Sequence, residues 1–140
     1  MIVKVLKMNV HVTSISFAVD SIIRMVKTRV GSYVCISNVH MCMEAFDSRK
    51  FRAIVNDADI VVPDGRPIFF AQRILGFSDA EQVRGQDVML ALCERSACSE
   101  LKIGLYGGSS DQVLEAVKSE LKNSFPGIKI VYSYSPPFRA

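Results

Sequence analysis

Apolar residues follow two rhythms along this chain. Short β-prone runs come between longer stretches whose apolar positions fall at helical spacing. Val10 to Ile15 alternates as a short strand. Phe17 to Val30 predicts a helix, with Phe17, Ile22, Ile23, Val26 and Val30 near one face and Gly31 able to end it. Tyr33 to Ile36 is a compact β-prone run leading into Ser37-Asn38, and Met41 to Asn56 predicts a helix with Arg49, Lys50 and Arg52 on its wet face. Asp59 to Val62 is apolar and stops at Pro63-Asp64-Gly65, the pattern of a buried strand ending in a turn. Pro67 to Leu75 predicts a helix closed by Gly76, and Gln86 to Ser96 another. Lys102 to Tyr106 predicts a strand, Gly107-Gly108-Ser109-Ser110 a tight turn and Gln112 to Asn123 an amphipathic helix. Ile128 to Tyr132 is the last predicted strand, and Pro136-Pro137 ends it.

Strands alternating with helices indicate an α/β fold, Rossmann-like, with a mostly parallel sheet covered by helices on both faces. In such sheets ligands bind beyond the carboxyl ends of the strands. The turns Ser37-Asn38-Val39-His40, Pro63-Asp64-Gly65 and Gly107-Gly108-Ser109 are therefore expected along one rim, with Asn38, His40 and Asp64 in one neighbourhood. After the last strand, the helix that should return over the sheet is missing. The expectation is a single α/β domain over residues 1–140, an amino-terminal portion incomplete at its carboxyl end. An unfinished sheet should expose an apolar edge and favour association into a homo-oligomer.

Composition narrows the class. A hydrophobic fraction of 49% supports a core, and a net charge of +3 from 17 basic and 14 acidic residues is too small to argue for nucleic acid. No apolar run reaches the roughly 18 residues of a membrane span. Lys4 and Lys7 interrupt the apolar start, without a signal peptide's order, so a cytoplasmic protein is expected. Cys35, Cys42, Cys93 and Cys98 form no CxxC pair and read as reduced, partly buried thiols.

Asp64 is the leading candidate for chemistry. Pro63 fixes the backbone before it and Gly65 permits close approach after it. A carboxylate at a strand's carboxyl end can take a proton from an attacking hydroxyl; the plainer reading is a turn aspartate capping the next helix. Asn38 can hold a sugar hydroxyl as donor and acceptor, and His40 can shuttle a proton, although a lone histidine more often packs or caps. Backbone amides at Gly107-Gly108, with the following helix's amino end, can receive a diphosphate, yet the spacing is neither GxGxxG nor a Walker loop. Asp57-Ala58-Asp59 imitates a metal-binding DxD but should sit at the opposite rim, so no metal is assigned to it. Arg66, Arg73, Arg84 and Arg139 are candidate phosphate ligands, with Arg84 and Arg139 favoured because they lie in irregular segments.

Several stretches together resemble the WecG/TagA/CpsF glycosyltransferases. They are Ser37-Asn38-Val39-His40-Met41, Asn56 through Gly65, Gln82-Val83-Arg84-Gly85-Gln86-Asp87-Val88-Met89, Leu105-Tyr106-Gly107-Gly108-Ser109 and Ser135-Pro136-Pro137-Phe138-Arg139. The resemblance runs from about Val10 to Arg139, and Ala58 to Gly65 is its most specific part. It implies transfer of an N-acetylhexosamine, often N-acetylmannosamine, from a UDP-sugar donor to a polyprenyl-diphosphate-linked sugar acceptor. The setting would be the inner face of the plasma membrane, in teichoic acid or other surface polysaccharide synthesis. The reaction would be inverting and metal-independent, with no cofactor. Asp64 matches the proposed general base and Asn38 a pocket residue beside it. The Gly107-Gly108 turn falls near the nucleotide side by the same resemblance, and His40, Gly65, Arg84, Asp87 and Arg139 complete the expected substrate-binding set.

The chain departs from the family pattern at particular positions. Ile36 replaces a usual Thr, Gln82 a usual Arg that Arg84 could substitute, and the family's later nucleotide-binding stretch has no counterpart. The alternative is an inactive truncated remnant or a nucleotide-binding module. A nicotinamide-dependent oxidoreductase is disfavoured because the dinucleotide fingerprint is absent.

Overall fold

A computed structural model describes residues 1–28 and 31–137. The fold is α/β and Rossmann-like, as expected, and divides into two compact units, Met1–Val88 and Met89–Ala140.

The first unit opens with a hairpin that the periodicity does not predict. β1 (Ile2–Val5) pairs antiparallel with β2 (Met8–His11), Val5 opposite Met8 and Ile2 opposite His11. Its tight turn puts Leu6 at φ 54°, a left-handed conformation uncommon for a branched residue. Alternation explains the strands once they are seen: Val3, Val5, Met8 and Val10 are buried, while Ile2, Lys4 and Leu6 are exposed. The strand expected over 10–15 therefore ends at His11, and α1 (Ile15–Thr28) starts at Ile15. The end expected for that helix at Val30 lies outside the described residues.

β3 (Val34–Ser37) and β4 (Ile60–Pro63) pair in parallel, from Val34 opposite Ile60 to Ser37 opposite Pro63. Two helices connect them where one was expected. α2 (Val39–Asp47) ends and α3 (Arg49–Asn56) begins at Ser48, whose extended backbone (φ −102°, ψ 112°) interrupts the helix. The same serine stabilises both ends. Its N–H donates to Glu44 O (2.8 Å), and its side chain accepts from Phe51 N (3.2 Å). The hinge lets Cys42 and Ala45 from α2 and Val55 from α3 share one core with Val5, Met8, Val10 and Val61.

All four residues of β4 are buried, consistent with a strand covered on both faces. The hairpin packs beside it through β2, and the Val61 N–H donates to His11 Nδ1 at 3.1 Å. α4 (Arg66–Ile74) lies against β1 and β4, contributing Ile68 to the core. Fully buried Gln72 ties it to the hairpin by donating from Nε2 to His11 O (3.0 Å).

The second unit is built on β5 (Lys102–Tyr106) and β6 (Lys129–Tyr134), paired in parallel. α6 (Asp111–Ser124) packs on β6 and buries Leu114 and Leu121, two turns apart on one face. Gly107 and Gly108 take positive φ (130° and 97°), the turn chemistry expected between β5 and α6. α5 (Gly85–Ala97) starts one residue earlier than its apolar pattern suggests. All four cysteines are free thiols. Among the described residues no helix is long and apolar enough to cross a membrane.

Candidate active site

The parallel pairing of β3 and β4 brings their carboxyl ends side by side. At that point Ser37 is fully buried and donates from Oγ to Val62 O (2.6 Å). Its carbonyl accepts from both Asp64 N (2.9 Å) and Gly65 N (3.3 Å). The chain leaving β4 is thereby stapled to the chain leaving β3. A Cβ built on Gly65 would lie 3.5 Å from Asn38 Cα, so the two turns are in van der Waals contact.

Asp64 is partly buried and held from a second direction by residues 82–85. Gln82 Nε2 donates to Asp64 O (2.5 Å), Val83 N to Pro63 O (2.9 Å) and Gly85 N to Asp64 Oδ1 (3.0 Å). Gly85 is also the first residue of α5. Asn38 and Gly65 are the N-caps of α2 and α4. Three helix amino ends thus meet around one carboxylate. The helix dipoles favour negative charge there, both on Asp64 and on an anionic ligand beside it.

The remaining candidates take different positions. Asn38 uses Oδ1 to cap α2, accepting from Met41 N at 2.9 Å. Asn38 is nevertheless exposed, and its amide NH2 is a further donor at this rim. His40 is exposed on the first turn of α2. Arg84 forms a two-point ion pair with Asp87, Nε to Oδ2 at 2.7 Å and Nη2 to Oδ1 at 3.0 Å. The hydrogen bonds and charge of Asp87 hold the Arg84 guanidinium above its ordinary range, with a smaller push from Asp64. Arg84 therefore sits close enough to feel the Asp64 charge while engaged with Asp87. Arg66, the first residue of α4, is exposed at the same rim. Arg73 has a structural position instead, donating from Nε to Ala80 O (3.4 Å) with its guanidinium over the Phe69 ring.

Asp57 and Asp59 lie at the other end of the strand pair. Asp57 caps the end of α3, and Asp59 Oδ2 accepts from Tyr33 N (2.9 Å) before β4 begins. Four strand residues separate Asp59 from Asp64. At about 3.3 Å per residue that is more than 13 Å, too far for one site.

Gly107 and Gly108 belong to the second unit. There Gly107 N donates to Tyr134 O (2.9 Å), and Ser135 Oγ donates to Gly108 O (3.2 Å). Arg139 lies outside the described residues. Sequence reasoning assigned no role to Ser37, Gln82 or Gly85. The last had a visible signal: a glycine opening a helix beside a charged residue often marks a close backbone approach.

A sequence model of the glycosyl transferase WecG/TagA/CpsF family matches residues 3–140. The chain belongs to this family. It is therefore a member of a glycosyltransferase family by descent as well as by the pattern of its turns. Among similar proteins is an N-acetylglucosaminyldiphosphoundecaprenol N-acetyl-β-D-mannosaminyltransferase of Bacillus spizizenii, 23% identical over 100 residues, 71% of this chain. A protein of the same name in Bacillus subtilis is 24% identical over 102 residues, 73% of this chain. The matches cover 38% and 40% of those relatives' own lengths.

Proposed function

We propose that this chain carries the base-bearing part of an N-acetylmannosaminyltransferase. The donor is a UDP-sugar, and the acceptor is an N-acetylglucosaminyl diphosphoundecaprenol, the acceptor in the names of both Bacillus relatives. The observation that carries this reading is the Asp64 carboxylate at the joined ends of β3 and β4, oriented by the Gly85 N–H at 3.0 Å.

The chemistry has two requirements. The acceptor hydroxyl is a weak nucleophile, so a base must take its proton as it attacks the anomeric carbon. Asp64 is that base, with an expected contribution of about 10²–10⁴-fold. Attack from the face opposite UDP inverts the anomeric configuration. UDP leaves with growing negative charge on the opposite face, where arginine side chains and backbone amides stabilise it without a metal ion. Asn38 contributes its exposed NH2 to a sugar hydroxyl. Arg84 exchanges Asp87 for a donor phosphate, which both its fork geometry and its exposure permit. His40 and Gly65 complete the proposed substrate contacts of the first unit. The acceptor's undecaprenyl chain keeps it in the bilayer, so the encounter is peripheral, at the inner membrane face, and feeds teichoic acid or related polysaccharide synthesis.

The test is calorimetry of the chain with UDP, together with transfer from UDP-N-acetylmannosamine to a short-chain polyprenyl-diphosphate acceptor. Binding and transfer are expected. Binding without transfer would assign these residues to nucleotide recognition. Neither binding nor transfer would refute both readings.

A further inference from the structure

We infer that Gly85 is a positioning residue for Asp64, and that its contact with Ile36 sets how closely the Gly85 amide approaches the carboxylate. This rests on the reading of Asp64 as the base only for its effect on turnover.

Two observations coincide at Gly85. Its N–H is the described hydrogen-bond donor to the Asp64 carboxylate, at 3.0 Å. Its α-carbon faces Ile36 so closely that a Cβ would lie 2.9 Å from Ile36 Cγ2. Real carbon atoms do not approach so closely, so one side must move. Ile36 is poorly placed to yield. It lies in β3 opposite Val62, and the contacting atom is a methyl on its branched Cβ, whose rotation is restricted. The displacement would therefore fall on residues 82–85, which carry the amide away from Asp64 Oδ1.

The arrangement links strand β3, the 82–85 segment and the carboxylate through a single contact. The Ile36 side chain walls the space behind Gly85. A backbone amide suits this task. It cannot rotate away as a side-chain donor can, and it leaves the second carboxylate oxygen to meet a substrate hydroxyl.

The test uses the 140-residue chain and three variants: Gly85→Ala, Ile36→Ala and the double variant. The readout is the amide-exchange protection factor at position 85, measured by NMR. Gly85→Ala should lower protection about tenfold, the scale of one lost hydrogen bond. Ile36→Ala alone should leave it within about threefold of the parent, and the double variant should recover to that level because the clashing methyl is gone. Unchanged protection in Gly85→Ala, or no recovery in the double variant, would overturn the inference. If Gly85→Ala does not fold, the double variant decides alone: parent-like protection supports the coupling, and lost protection refutes it. In the transfer assay, Gly85→Ala should lower kcat about tenfold at unchanged donor KM, with recovery in the double variant. A chain that transfers no sugar leaves the exchange result intact and counts only against the enzymatic reading. Altered exchange with unaltered kcat would refute Gly85 as a positioning residue.

Discussion

Replacing Asp64 by Asn and by Ala separates what the carboxylate does chemically from what it does for the fold. Asp64→Asn keeps an oxygen where Oδ1 accepts from Gly85 N, at 3.0 Å in the parent. It exchanges a charge-assisted hydrogen bond for a neutral one and removes a negative charge from three helix amino ends. These losses are each of order 1 kcal/mol or less. Asp64→Ala removes the acceptor and leaves a partly buried N–H unpaired, which costs about 1–3 kcal/mol. For a chain of this size one kcal/mol lowers Tm by about 4 °C. Asp64→Asn should therefore melt about 4 °C below the parent, and Asp64→Ala about 10 °C below. Melting is followed by circular dichroism. In transfer assays run well below both transitions, the two variants should be alike, each reduced about 10²–10⁴-fold, because neither can accept the proton. Equal melting temperatures would show that the Gly85 bond contributes little to the fold. Parent-like turnover in Asp64→Asn would remove Asp64 as the base, whatever the melting data show.

Ser48→Ala should lower Tm by about 4 °C, because it deletes the side-chain cap of α3 at a loss of about 1 kcal/mol. UDP affinity should not change, since Ser48 lies at the end of α2 away from Asn38; weakened binding would contradict that separation. Burial, and next the charge of the nearby amino terminus, hold His11 below its ordinary value. The unfolded chain therefore takes up the His11 proton first as pH falls. This contribution to stability is complete above about pH 6.5 and declines below it toward the folded-state value. Protonation would also place an N–H on Nδ1 facing the Val61 N–H, so Tm should fall as pH drops below about 6.5. His11→Asn should flatten that part of the profile, and an unchanged slope in the variant would refute the assignment.

The parts of the architecture legible in the sequence are those specified by near neighbours. The run Asp59 to Val62 stopping at Pro63-Asp64-Gly65 marked a buried strand and its turn, and the structure puts β4 at Ile60–Pro63 with all four residues buried. Glycines 107 and 108 marked a turn, and both adopt positive φ. The hairpin was harder to see because each strand has four residues and the lysines at positions 4 and 7 read as interruptions. Lys4 points outward, and Lys7 lies over the Phe46 ring with Nζ 3.9 Å from its centroid, so neither charge opposes burial of the other face.

Sequence alone singled out the Asp64 turn, since Pro and Gly constrain the backbone through their own covalent structure. Tertiary structure decided what surrounds that turn. The donors Gln82 and Gly85 are 18 and 21 residues away in the chain, and no local periodicity encodes their approach. The Arg84–Asp87 pair and the capping role of Asn38 depend likewise on where α5 and α2 begin. Propensity and alternation act over a turn or a strand pair, whereas the orientation of a carboxylate depends on which distant backbone atoms packing brings within 3 Å of it.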